Sequence, residues 1–200
     1  MLSLSTAPTV EPVTTAEAKT HCKVDHAQDD DYFANFLIPT ARNYAETFTD
    51  RAFLTQTWIL RLQGFGSGPI ILPKPPLSSV TSVTYLDSAG VSQTWSTDFY
   101  DLEQPTGQHA LHGSIHLEYG ETYPSTRGVV DDVTITYVAG YGAAATAVPA
   151  AIKHAVLMLI EDLYRQRGSQ ILGTTQTPAL MTAERLLWPF SAKRYDLRYD

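Results

Sequence analysis

Three histidines, His109, His112 and His116, stand three and then four residues apart. On a helix that spacing would gather their imidazoles on one face, where they could hold a metal ion. The residues around them speak against a helix. Gly107, Gly113 and Gly120 punctuate the stretch, and Ile115 and Leu117 flank His116 in strand-like alternation. On strands the three rings would not share a face, so they read as side chains of a β module. His21, Cys22, Asp25 and His26 form a second polar group, but one thiol with two nearby histidines has no recognised zinc spacing. It reads as a helix end and its loop. Asp25, Asp29, Asp30 and Asp31 are acidic like a calcium loop, yet they lack its alternating order, its glycine and its distal glutamate. Helix capping is the better use for these carboxylates. Gly64-Phe65-Gly66-Ser67-Gly68 is followed by neither a helix nor a Gly-Lys pair, so it is a hairpin turn rather than a phosphate loop. No serine sits in a nucleophile elbow. Glu161 and Asp162 fall on a helix edge that solvent or a neighbour would take. The chain is therefore read as a non-enzyme, with no catalytic residue, no cofactor and no metal ligand assigned.

The elements around these groups centre on one helix, Val148–Arg167. Pro149 suits its first turn. Ile152, Ala155, Val156, Leu159, Ile160 and Leu163 recur at helical spacing. Leu157 and Met158 fall off that stripe, so the helix must be covered nearly all round, by its own chain or by another copy. Arg165 and Arg167 suit its last turn, and Gly168 reads as its C-cap. Upstream, residues 1–13 are Pro- and Thr-rich and read as extended. Thr14 and Glu17 make a capping box for a short helix to about Cys22. Asp29 or Asp30 then caps a longer helix to about Thr49, with Phe33, Phe36, Leu37, Ala41, Tyr44 and Phe48 at apolar positions. Pro39 should kink it.

From Ala52 to Gly140 the composition turns to Val, Ile, Thr, Tyr and Trp with Gly and Pro punctuation. Strands are expected at Thr55–Leu62, Pro69–Leu72, Ser79–Leu86, Val91–Ser96, Phe99–Leu102, Gln108–Leu111, Ser114–Leu117 and Asp131–Ala139. A last short helix is expected over Pro178–Trp188, stopped by Pro189, with a mobile polar link from Ser169 to Thr177 before it. The predicted class is α+β: a helical domain of about four helices, with an antiparallel β module, a small sandwich or barrel, inserted between the second and third. The boundaries are 1–51 for the N-terminal helical part, 52–140 for the β module, 141–189 for the C-terminal helical part and 190–200 for a tail.

Bulk charge narrows the partners. The 200 residues carry 21 acidic and 14 basic side chains, net −7. That disfavours a general nucleic-acid or membrane-surface binder. The tail differs in sign: residues 185–200 hold Arg185, Lys193, Arg194 and Arg198 against Asp196 and Asp200. One cysteine excludes an internal disulfide. No secretory leader and no membrane span is read, so a soluble chain made inside the cell is expected.

Four stretches, residues 12–25, 36–62, 71–90 and 133–167, together resemble the head–tail connector, or adaptor, proteins of long-tailed phages and of gene transfer agents. The likeness rests most on Ala41-Arg42-x-Tyr44-x-Glu46 running into Thr55-Gln56-Thr57-Trp58, and on Ala139-Gly140-Tyr141-Gly142 followed by Val148-Pro149. It fades beyond about residue 170. The resemblance implies a structural head-completion protein of a virion or phage-like particle, assembled in the bacterial cytoplasm. It implies a homo-oligomeric ring of twelve copies beneath the portal protein. That ring would meet a stopper or tail-proximal protein and line the channel for double-stranded DNA without reading its sequence. On this view Phe33, Phe36, Leu37, Tyr44, Ile152, Val156, Leu159, Ile160 and Leu163 lie at or near ring subunit contacts. Portal docking is expected of Leu187, Trp188, Phe190, Lys193, Arg194, Tyr195, Arg198 and Tyr199, because aromatic anchors among cations suit an interface. The competing reading is a ligand- or carbohydrate-binding β module with a helical appendage, using His109, His112, His116 and Glu118.

Overall fold

Val133–Ala139 alternates buried and half-covered residues along its length, with Val133, Ile135, Tyr137 and Ala139 inward. A period of two is what a strand with one face on a core requires. In the computed structural model, which describes residues 1–166 and 179–195, this strand is the middle of a five-stranded sheet. The strands are β1 (Leu2–Thr6), β2 (Gln56–Leu62), β3 (Ile70–Leu72), β4 (Leu77–Leu86), β5 (Ser92–Thr94), β6 (Tyr100–Glu103), β7 (Gly113–Leu117) and β8 (Val133–Ala139). The large sheet has the order β1-β2-β8-β4-β5 and a smaller one β3-β7-β6. Every pairing is antiparallel. β8 sits opposite β2 in unbroken register, Trp58 against Tyr137 and Leu60 against Ile135.

The chain divides into two compact units, Met1–Pro8 with Thr55–Tyr141 and Thr9–Leu54 with Gly142–Asp200. The first is the β unit. Leu60, Leu72, Val83, Ile115 and Ile135 are among its buried side chains. β7 passes β4 so closely that a Cβ on Gly113 would lie 2.4 Å from Leu77 Cδ2. Aromatic rings extend the core toward the turns: Phe65 lies 5.0 Å from Trp95 and 5.3 Å from Tyr123, and Trp95 lies 4.7 Å from Tyr100. The glycine-rich turn thus holds a buried anchor, Phe65, in its middle. Three expectations need correction. Gly64–Gly68 is not a hairpin turn, because β3 pairs with β7 and not with β2, so the turn carries the chain from one sheet to the other. Gln108–Leu111 is not a strand, because Gly107 takes φ +97° and Ala110 N donates back to Gly107 O, closing a turn. Residues 1–8 do not belong with the helices. Leu2 and Leu4 pair with Leu60 and Trp58, which puts β1 at the edge of the large sheet.

The helical unit contains α1 (Thr15–Cys22), α2 (Asp30–Tyr32), a π-helical turn (Phe33–Leu37), α3 (Ile38–Thr49), α4 (Ala150–Arg165) and α5 (Ala179–Leu187). The capping box at α1 is present in both directions: Glu17 N donates to Thr14 Oγ1 at 3.1 Å and Thr14 N to Glu17 Oε2 at 2.7 Å. Asp29 does not cap α2 with its side chain; it accepts from Tyr164 OH at 2.7 Å instead, tying that loop to α4. Pro39 lacks the donor that Asn35 would have received. The helical run accommodates it by widening just before it, Ile38 N reaching back to Phe33 O. α4 packs against α1, α3 and α5, burying Ile152, Ala155, Val156, Leu159 and Ile160. Each of the four larger side chains contributes about 1.5–3 kcal/mol of burial.

Polar links join the separate pieces of this unit. Arg42 is 9% exposed; its Nε and Nη2 donate to both oxygens of Glu11 at 2.7 and 3.2 Å, and Nη1 reaches Glu46 at 3.1 Å. Glu46 in turn accepts from Phe53 N at 2.8 Å. Arg51, fully buried, donates from Nε to Phe190 O. Gly168 and Arg167, the link to Thr177 and the Thr177-Pro178 helix start lie outside the described residues.

Candidate functional site

In the β unit the pairing of β6 with β7 sets Glu103 opposite Ser114. Ser114 Oγ donates to Glu103 Oε2 at 2.6 Å and lies 2.9 Å from His116 Nε2, which is itself 3.3 Å from Glu103 Oε2. Serine, histidine and carboxylate together suggest a nucleophile and its base, but the geometry is wrong. In a working triad the acid holds the ring nitrogen opposite the one facing serine; here both oxygens meet Nε2. Ser114 is also 2% exposed, closed to a substrate. The cluster fastens one sheet edge. His109 lies in the Gly107–Ala110 turn and His112 just before β7. Among the described residues no group of three or more His, Cys, Asp or Glu side chains could hold a metal.

At the α1–α4 contact, His21 Nε2 lies 3.2 Å from Glu161 Oε2, and Glu161 also pairs with Arg165 at 2.6 Å. The His154 ring stands edge-on to His21, 5.9 Å away. Burial, with Glu161 nearby, pushes the Cys22 thiol up to about 11, so it stays protonated and unreactive near neutral pH. This group holds two helices together.

The residues expected at ring contacts divide sharply. Phe33, Leu37, Ile152, Val156, Leu159 and Ile160 are buried in the unit's own core, 5% exposed or less. Within the chain, α1, α3 and α5 cover α4, and these six side chains face that core. Phe36, Tyr44 and Leu163 do reach the surface, Phe36 with 62% of its area exposed. The expected docking segment divides in the same way. Leu187 and Phe190 are core residues, anchored where Arg51 holds the Phe190 carbonyl. Trp188 is exposed, and Lys193 is exposed with its Nζ 2.9 Å from Thr47 O. The side chains of Arg194 and Tyr195, and all of Arg198 and Tyr199, lie outside the described residues.

Among the described residues, the helical unit carries a groove beside Trp188. One part, about 240 Å³, is lined by Phe48, Met181, Glu184, Arg185 and Trp188; another, about 460 Å³, by Phe48, Trp188, Ser191 and Lys193. Its wall is fixed from α3. Tyr44 stacks on Phe48, ring centres 6.5 Å apart, and donates to Glu184 Oε1 at 2.5 Å. That bond and partial burial push the Tyr44 phenol up to about 12. Arg185 meets no carboxylate among the described residues. On the β unit a different feature stands out. Glu118–Glu121 is a tight turn, Glu121 N donating to Glu118 O at 3.0 Å with Gly120 at φ +86°. It presents Tyr119, 99% exposed, between Glu118 and Glu121, neither of them ion-paired among the described residues. Nothing in the sequence marks Tyr119, Met181 or Arg185 beyond their residue types, because a groove and a turn tip exist only once the elements have folded.

Among the described residues, the features that stand out are surfaces for contact, and the one Ser–His–Glu cluster lacks the geometry of a triad. No family model and no curated protein matches the chain. Solved structures do. A chain in the neck of an empty gene transfer agent particle, computed with C6 symmetry, matches at TM-score 0.73 and 24% identity, covering 93% of this chain and 94% of that one. A chain of the native gene transfer agent virion matches at TM-score 0.73 and 22% identity over the same shares. A chain in the native neck computed with C12 symmetry matches at TM-score 0.69 and 25% identity, also over 93% and 94%. The resemblance to head–tail connectors read from the sequence therefore meets its structural counterparts in a particle neck. At these identities the shared property is the fold, over nearly the whole chain.

Proposed function

We propose that this protein is a non-enzymatic structural adaptor of a phage-like particle, forming a ring under the portal and joining head to tail. One observation carries this reading: both units, in their order, agree with neck chains over 93% of the sequence at TM-scores of 0.69 to 0.73. The C12 symmetry of one such neck supports twelve copies per ring. A net charge of −7 suits a wall along which DNA slides, because a surface poor in cations forms few phosphate contacts. Portal docking falls to the chain from Arg194 onward, since Leu187 and Phe190 serve the core and Trp188 and Lys193 line the groove. Assembly takes place in the bacterial cytoplasm, and the finished ring resides in the particle neck.

The test mixes the purified protein with its portal and measures the mass of what forms, with the protein alone as control. About one copy per portal subunit is the expected result. A chain that stays monomeric and ignores the portal would leave the likeness to neck proteins as shared fold only.

A further inference from the structure

The helical-unit groove and the Glu118–Glu121 turn are complementary in composition and charge. The groove offers the rings of Phe48 and Trp188 and the thioether of Met181, with the cations of Arg185 and Lys193 at its margin. Its one acidic member, Glu184, has an oxygen taken by Tyr44. In an acidic chain this is a local excess of positive charge over apolar lining. The turn offers the converse, one fully exposed aromatic ring between two carboxylates that form no ion pair among the described residues. Its backbone is already closed by the Glu121-to-Glu118 hydrogen bond, so presenting Tyr119 costs little ordering. A tyrosine in a pocket of aromatic and thioether groups, ringed by opposite charges, is the composition of an interface anchor.

We propose that Tyr119 of one copy seats in the Phe48–Trp188 groove of the next, with Glu118 and Glu121 facing Arg185 and Lys193. The two patches differ, so the contact is heterologous, and repeating it joins copies head to tail into a ring or an open chain. The ring as an assembly rests on the adaptor reading above; the contact itself does not.

The experiment uses the full-length chain with and without its portal. Tyr119→Ala should weaken the neighbour contact roughly thirty-fold, the size of an anchor loss. Glu118→Lys with Glu121→Lys, or Arg185→Glu with Lys193→Glu, should each lower the copies retained per portal. All four changes together should restore them. In a separate variant, Glu121→Cys with Lys193→Cys should oxidise to a ladder of covalent multimers, absent in either single cysteine variant. If the wild type fills the portal but the ladder and the charge rescue both fail, this contact is wrong and the adaptor reading stands. If the wild type ignores the portal but concentrated free protein gives the ladder, the contact stands and the adaptor reading falls. Failure of portal loading, ladder and rescue together overturns both. If Arg185→Glu with Lys193→Glu abolishes loading while Tyr119→Ala changes nothing, the portal occupies the groove and the contact is refuted.

Discussion

In the β unit a backbone ladder joins each strand to its neighbour, whereas among the described residues of the helical unit side chains make the joins between helices. A helix spends its backbone groups on itself, so only side chains can tie one helix to another. That is why this unit places Arg42 and Arg51 inside and sends them to Glu11 and to the Phe190 carbonyl, 31 and 139 residues away. The β unit spans long sequence distances as well, with Leu2 opposite Leu60, but does so through main-chain bonds. The two units should therefore fail differently. The helical one should be sensitive to single side chains, and the β one to whatever disturbs the approach of its sheets.

The strongest way to break that contrast is Phe33→Ala. Phe33 is fully buried with its ring 4.8 Å from Tyr164, and its loss should cost about 3–5 kcal/mol. Urea melts followed by helical ellipticity and by the fluorescence of a variant keeping only Trp95 should separate, the helical signal falling first. Coincident loss would mean the units unfold as one. Gly113→Ala probes the other side. The new methyl would press on Leu77 and on the Glu103 carbonyl, costing about 1–3 kcal/mol, and Trp95 should report it before the helices do. The smallest effect belongs to Tyr44→Phe, about 0.5–1 kcal/mol for a half-exposed hydrogen bond. Its pH dependence has a definite sign. The folded phenol, facing the Glu184 carboxylate, is raised from 10.0 to about 12. The bond therefore stabilises fully below pH 10 and is lost as pH rises toward 12. The difference in stability between wild type and variant should shrink across that window; a constant difference would show that the hydroxyl acts through packing alone.

Legibility followed the same contrast. The α1 capping box, the α4 stripe and the strands around β8 were all readable, because each is a local pattern tied to its own periodicity or cap. The partner of an apolar surface was not. An all-round apolar helix looks the same whether α5 of its own chain or a neighbouring copy covers it, so the sequence leaves open the cover of Ile152 and Leu159, which the structure buries in the unit's own core. Phe190, set among cations and next to a proline, reads as an exposed anchor; the structure buries its side chain and has its carbonyl accept from Arg51 Nε. β1 was hidden because residues 1–13 are rich in threonine and proline, and its alternation runs for just Leu2–Thr6.

The alternation of the two units along the chain has a consequence for synthesis. The chain passes between units after residues 8, 54 and 141. As it leaves the ribosome, β1 must wait for β2, and α1 and α3 must wait for α4. The last strand of the large sheet, β8, emerges whole before α4 begins. The β unit is thus complete while the first helices still lack the element that covers them, and for that interval Phe33, Leu37 and Ala41 are the surface a chaperone would meet.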